Sequence, residues 1–180
     1  GTSNDNKIAI LFINQGGSEV IRMNSRGGSS NTILDHPYAI ALQDGDGSPA
    51  WIHFVATWNR TANTMAMYIN GSKVAQSTSS ITSYATTADT IYIGKPGNAN
   101  NAFFKGNFSS LSLFDETISD ASVTTLYNNG KPGDVSKSGV DGLVAWLPLD
   151  EREGNFIDRT STGADGVPQN TPSQGVEDVP

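Results

Sequence analysis

WIHFVATWN, residues 51–59, and MAMYINGSKVA, residues 65–75, together predict three consecutive antiparallel strands. The first stretch is almost entirely apolar, which is typical of a strand buried between two sheets. Trp51 and Trp58 are seven residues apart on this strand, so we expect them on opposite faces and at least one of them in the core. Asn70-Gly71 interrupts the second stretch and supplies the positive φ angles of a type I′ turn, so a tight hairpin is predicted there.

Further elements are predicted on both sides of this centre. The pattern of apolar residues favours strands at about 7–13, 18–23, 38–43 and 91–94, and a longer alternating segment at 104–114. Polar and glycine-rich composition predicts loops over residues 24–31, 77–87 and 98–102.

One short helix is predicted after the segment that ends at Phe114. Ser119 is a natural N-cap, and Ile118 and Val123 stand at the two positions of a hydrophobic staple. Gly130, followed by a proline, ends the helix.

These two blocks resemble the laminin G/pentraxin-like jelly roll, a sandwich of the concanavalin A type. The first is similar to the family's W-x-H-x-A-x-T-[WY] strand and x-Y-[VI]-[DN]-G-x-x-V hairpin, with Val55 where the family usually has alanine. The second is similar to its pattern of a strand, a short helix and L-Y-N-x-G. The resemblance implies an all-β fold, a two-sheet antiparallel jelly-roll sandwich with one short helix. It leaves the function open, because such sandwiches serve as lectins, adhesins, virion proteins and spacers.

The C-terminal part departs from the family's usual order. GLVAWLPLD, residues 142–150, and NFIDRTSTGADG, residues 155–166, resemble a motif that normally opens the domain, whereas here they close it. Either the fold is circularly permuted, or a second repeat begins here. Only 30 residues follow Asp150, and a domain needs about 50. We therefore favour a single domain over residues 1–170, with strand 143–149 closing the sheet and a surface tail over 171–180.

Composition limits the classes of partner. The 180-residue chain has no cysteine, so it forms neither disulfides nor cysteine metal sites. Its formal net charge of -7 disfavours nucleic acid and anionic lipid, which both attract basic surfaces. The sequence has no apolar stretch long enough to span a membrane. We expect no nucleic-acid partner and no membrane partner.

The leading metal candidate is the pair Asp44 and Asp46 in QDGDG, residues 43–47. Two carboxylates two residues apart, between glycines that bend the backbone, can present hard oxygen ligands to Ca²⁺. The alternative is a polar hairpin turn without a metal.

A second metal candidate comes from the family resemblance. Asp158 and Asp165 match the two acidic residues of the family's D-x-S-G-N-G-N-D-G loop, with Thr160 and Thr162 where the pattern prefers serine or asparagine. The resemblance implies that such a loop sometimes holds a structural cation.

Candidate ligand-binding residues lie in two polar loops. Tyr84 is the aromatic residue most suited to stacking on a sugar, and packing is its alternative role. Asn98, Asn100 and Asn101 form an asparagine-rich loop that can bind a sugar or simply turn.

Catalysis is not expected. Glycosidases need two carboxylates that face one cleft, and the E-x-D-x-x-E strand motif of hydrolases with this fold is absent. The densest acidic cluster, Asp150–Glu153, is predicted to be a solvated loop. The two histidines show no spacing that supports a catalytic triad.

The arrangement of LYNNGKPGD, LVAW and a terminal DVP resembles laminin G-like modules of tailed-phage virion proteins. It implies a non-catalytic structural, decoration or fibre module of the virion that can also bind glycans. Its partners are then other virion proteins or cell-surface glycans, and an oligomer fits this setting. The alternative is a lectin-like adhesion module of a bacterial secreted or cell-surface protein. A glycoside hydrolase or lyase is a weak third hypothesis.

Overall fold

The computed structural model describes residues 6–27, 30–37, 51–79, 90–94, 104, 106–169 and 172–174. Within them the chain forms eight β-strands, one α-helix and two short 3-10 helices. None of the helices described is long and apolar enough to cross a membrane. The chain divides into two compact units, Gly1–Ile69 with Lys73–Lys105, and Asn70–Ser72 with Gly106–Pro180.

The first sheet of the first unit is an antiparallel meander. Its strands are β1 (Asn6–Gln15), β2 (Ser18–Gly27) and β3 (Ser30–Pro37), in the order β1-β2-β3. Gly16 and Gly17 join β1 to β2 with positive φ angles of 62° and 91°.

The predicted loop over residues 24–31 is wrong, because β2 and β3 together occupy most of it. Ser25 and Thr32 are partners across the β2–β3 ladder, and both are buried. Their small polar side chains therefore occupy interior positions. The serine-, asparagine- and glycine-rich composition concealed this alternation of buried and exposed residues.

The second sheet contains β4 (Phe54–Asn59), β5 (Thr64–Ile69) and β6 (Ser72–Ser77), in the order β4-β5-β6. The predicted type I′ hairpin is confirmed, since Asn70 and Gly71 have φ angles of 49° and 77°. The expectation of a core tryptophan here is wrong, because Trp51 and Trp58 are each 37% exposed. Trp51 precedes the first residue of β4 and Trp58 lies one residue from its end, beyond the best-packed part of the strand.

One apolar cluster joins the two sheets of this unit. Ile21, Met23 and Leu34 from the first sheet form it with Met65 and Met67 from β5. Four of the five side chains are fully inaccessible to solvent. The unit is thus a sandwich whose sheets bury apolar faces against each other.

Asn70→Val is expected to lower the free energy of unfolding by about 1–2 kcal/mol, because a β-branched residue resists positive φ. Urea denaturation measures the change, with Asn70→Gly as the control that tolerates the turn. An unchanged urea midpoint for Asn70→Val would contradict the turn geometry.

The second unit contains β7 (Leu111–Phe114), α1 (Asp120–Tyr127) and β8 (Leu143–Leu147). β7 and β8 pair in antiparallel orientation. The late strand is shorter than the predicted 143–149, because β8 ends at Leu147 and Leu149 has a φ of 63°. The 3-10 helices Asn128–Gly130 and Val135–Lys137 lie between α1 and β8. The single-domain organisation and the permuted order stay predictions.

The predicted helix is confirmed. The Ser119 side chain accepts a hydrogen bond from the Ser122 N–H, as an N-cap does. Ile118 and Val123 are buried. The helix ends where Asn128 adopts a left-handed conformation with a φ of 46°.

Two strand predictions need correction. The strand expected over residues 104–114 is limited to β7, because Ser110 has a φ of 53°, which interrupts extended backbone. Residues 91–94 form no strand, and the side chains of Ile91, Tyr92 and Ile93 are largely exposed. The predicted strand at 38–43 and loop at 98–102 lie outside the described residues, as does most of the loop at 77–87.

Candidate functional site

Of the residues predicted to bind a ligand or metal, the structure describes Asp158 and Asp165. The others lie outside the described residues, namely Asp44, Asp46, Tyr84, Asn98, Asn100 and Asn101.

Asp158 is a buried carboxylate surrounded by hydrogen-bond donors, with 6% of its surface exposed. Its Oδ1 accepts the N–H groups of Trp146 at 3.0 Å and Thr160 at 2.9 Å. Its Oδ2 accepts the Ala164 N–H at 2.9 Å and lies 2.6 Å from Thr162 Oγ1. Both oxygens are thus engaged by groups of the protein.

The two threonine hydroxyls link this carboxylate to strand β8. Thr160 Oγ1 lies 2.9 Å from Asp158 Oδ2 and 3.1 Å from the Val144 carbonyl oxygen. Thr162 Oγ1 lies 2.7 Å from the same carbonyl. Each hydroxyl can donate only one proton. The two hydroxyls can therefore donate one hydrogen bond to the carboxylate and one to the carbonyl.

Backbone contacts complete the docking of this segment on β8. The Arg159 N–H donates to the Trp146 carbonyl at 2.8 Å, and Phe156 and Gly166 exchange two hydrogen bonds. Asp165 Oδ1 in turn accepts the Asp158 N–H at 2.9 Å. Residues 156–166 therefore fold into a compact loop centred on Asp158.

The environment determines the charge of Asp158. Burial by itself disfavours the ionised form. The hydrogen bond from the Thr162 hydroxyl and three from backbone N–H groups outweigh that effect, so the pKa of Asp158 lies well below its usual range. The carboxylate is ionised at neutral pH.

This donor set does not fit a cation at Asp158. Backbone N–H groups point at both carboxylate oxygens, and an N–H cannot act as a metal ligand. Asp165 is engaged with the Asp158 N–H. Among the described residues, no three acidic or histidine side chains are grouped as a metal site would need. We interpret this pair as the structural centre of the loop.

The lowered pKa of Asp158 predicts an acid-dependent loss of stability. Its contribution is fully present above the carboxyl pKa of the unfolded chain, about 4, and is lost as the pH falls towards the folded pKa. We expect the gap in urea midpoint between the native protein and Asp158→Asn to narrow as the pH is lowered from about 7 to about 3. A gap independent of pH would contradict the ionised carboxylate.

The acidic cluster Asp150–Glu153 is only partly the solvated loop that was predicted. The Glu151 side chain is 12% exposed, and its Oε1 accepts the Ile157 N–H at 3.0 Å. Arg159 Nη2 lies 3.1 Å from Asp150 Oδ1 and 3.6 Å from Glu151 Oε1. The prediction is wrong for Glu151, because this carboxylate anchors the loop that follows it.

A cavity of about 300 Å³ lies beside β8, and the sequence analysis missed it. Trp146 Nε1 donates to Ser110 Oγ at 3.1 Å across this cavity's lining, and the Ser110 N–H donates to the Pro148 carbonyl at 2.9 Å. The lining residues are Ser109, Ser110, Pro132, Gly133, Trp146, Pro148, Leu149 and Asp150. They combine an aromatic ring, apolar side chains, hydroxyls and one carboxylate.

Comparison with known proteins defines the family. The laminin G-like family described as the concanavalin A-like lectin/glucanases superfamily matches residues 2–124. The chain belongs to this superfamily. Together with the antiparallel sheets and the short helix, this match confirms the predicted all-β jelly-roll fold.

One solved structure is similar to the chain, an S-layer domain-containing protein (residues 221–444) from Clostridium thermocellum ATCC 27405. It shares 21% sequence identity with a TM-score of 0.40, over 69% of this chain and 58% of that chain. The match therefore spans less than two thirds of that structure. No curated protein matches the chain significantly.

Proposed function

We propose that the protein is a non-catalytic module of a tailed-phage virion, acting as a structural, decoration or fibre element that also binds glycans. The observation that carries this proposal is that the C-terminal carboxylates are engaged in hydrogen bonds and an ion pair within the protein. Asp158 and Glu151 accept backbone N–H groups, and Asp150 pairs with Arg159. Carboxylates held in this way build the loop and are poorly placed to exchange protons with a substrate.

The setting in a virion rests on the order of the sequence motifs. The LYNNGKPGD segment begins in the last turn of α1, and the LVAW strand pairs with β7. This order of motifs resembles that of phage modules. Partners are then neighbouring virion proteins and cell-surface glycans, with several copies displayed together. Nucleic acid and membranes are not expected partners, given the net charge of -7.

The second candidate is a lectin-like adhesion module of a bacterial secreted or surface protein. The cavity beside Trp146 supports the glycan binding that this candidate requires, because it combines an aromatic ring with nearby hydroxyls. The genes next to this one separate the two candidates, since virion assembly genes indicate the first.

Multivalent display tests the proposed function. We expect one soluble module to bind bacterial surface polysaccharide weakly. We expect the apparent affinity to rise about 10²-fold or more when copies are displayed on one scaffold, because a module that dissociates can rebind while its linked neighbours still hold the polymer. The bare scaffold is the control. Tight binding by the monomer contradicts the avidity argument, and no binding in either format leaves an architectural role only.

We also propose Ca²⁺ at Asp44 and Asp46, with no contribution from Asp158. A ligand that binds only the folded state raises its melting temperature. We expect Ca²⁺ to raise the melting temperature above that of the chelator-treated protein, and Asp46→Ala to abolish this difference. Asp141→Ala is the matched control and should retain it. Equal melting curves with Ca²⁺ and with chelator would reject the site.

A further inference from the structure

The cavity beside β8 contains two residues with unusual backbone conformations. Six non-glycine residues described in the structure have positive φ angles, and four of them are asparagines, which tolerate this region. The other two are Ser110, at 53°, and Leu149, at 63°, and both line this cavity. Such conformations are strained and concentrate at functional sites, where the surrounding structure holds them in place.

The cavity also has polar groups that the protein leaves uncommitted. Within the part of the chain that the structure describes, Ser109 Oγ and Asp150 Oδ2 make no hydrogen bond. Ser110 Oγ accepts the indole N–H of Trp146 and keeps its own proton to donate. Two hydroxyls and one carboxylate oxygen are therefore available to a ligand.

The apolar part of the lining complements these polar groups. The Trp146 indole is oriented by its hydrogen bond to Ser110, and Pro148 and Leu149 adjoin it. A volume of about 300 Å³ is at the lower end of small-molecule pockets. A ligand of this size must offer both an apolar face and several hydroxyl groups.

We propose that this cavity, built by Trp146, Ser109, Ser110 and Asp150, is a binding site for one neutral sugar unit of a glycan. The proposal rests on the proposed function, because it names where the glycan binds. The apolar face of the sugar ring packs against Trp146 and its leucine and proline neighbours. The sugar hydroxyls donate to Asp150 Oδ2 and exchange hydrogen bonds with the two serines. Asp150 and the net charge of -7 disfavour acidic sugars.

The test uses the indole N–H signals of the full chain in two-dimensional NMR, with methyl glycosides of glucose, galactose and N-acetylglucosamine as probes. Trp146→Phe assigns the Trp146 signal among those of the three tryptophans. We expect at least one glycoside to shift the Trp146 signal with a Kd of about 1–10 mM, and to leave Trp51 and Trp58 unchanged. The Trp146 N–H reports on this site because its acceptor, Ser110, contacts the sugar.

Two variants connect the signal to the cavity. Asp150→Ala is expected to weaken glycoside binding about tenfold. Ser109→Ala is also expected to weaken it, and this variant leaves the Asp150–Arg159 ion pair intact. Asp141→Ala, an exposed acidic residue of the same unit, should bind as the native protein does. Equal affinity in all four proteins overturns the assignment.

The outcome of the NMR titration can be distinguished from the outcome of the multivalent binding experiment. A silent Trp146 signal with all three glycosides overturns the site, even if displayed copies still bind polysaccharide elsewhere. A response to a proline-rich peptide but to no sugar also overturns it. A shifted Trp146 signal without polysaccharide binding by displayed copies supports the site, and it rejects the glycan-binding part of the proposed function.

Discussion

Asp158→Ala is expected to lower the free energy of unfolding by about 3–5 kcal/mol, as loss of a buried hydrogen-bond network does. The substitution leaves the N–H groups of Trp146, Thr160 and Ala164 without their acceptor. It also removes the carboxylate oxygen that lies 2.9 Å from Thr160 Oγ1 and 2.6 Å from Thr162 Oγ1. Urea denaturation followed by circular dichroism measures the loss.

Asp141→Ala is the matched control, because Asp141 is an exposed acidic residue of the same unit and its loss should change stability by less than about 0.5 kcal/mol. Asp158→Asn should fall between the two, since one amide oxygen replaces two carboxylate oxygens. A loss below about 1 kcal/mol for Asp158→Ala would show that the loop does not depend on this carboxylate.

Met67→Ala is expected to lower the free energy of unfolding by about 2–5 kcal/mol, because it leaves a cavity in a packed core. Met67 is fully buried and joins Ile21, Met23 and Leu34 of the opposite sheet in one cluster. Thermal and urea unfolding measure the effect.

Met67→Leu is the control for this prediction. It nearly conserves volume, so it should cost less than about 1.5 kcal/mol. Equal losses for the alanine and leucine variants would contradict the packing of the two sheets through this cluster.

Local signals explain most of what the sequence predicts correctly. The turn at Asn70-Gly71 and the cap at Ser119 depend on conformations that the residues themselves favour. The β2–β3 hairpin is not predicted from the sequence, because Ser25 and Thr32 are polar residues at buried positions. A periodicity analysis assigns buried positions only to apolar residues. Tertiary packing, and not local composition, determines the strand conformation of that segment.

The candidate site shows a sharper limit. The sequence identifies the motif that contains Asp158, and the family resemblance implies that such a loop sometimes holds a cation. The observed partners are mostly backbone N–H groups, and no side-chain pattern in the sequence encodes them. The cavity was missed because serines near β7 meet Trp146 and Asp150, about forty residues further along the chain, only after β7 and β8 pair.

The central claim is that this module binds glycans without cleaving them. The most direct measurement incubates bacterial surface polysaccharide with displayed copies of the protein, and quantifies both bound polymer and newly formed chain ends. The account predicts bound polymer of unchanged length and no new chain ends. New chain ends that disappear in Glu151→Gln or Glu153→Gln would contradict it.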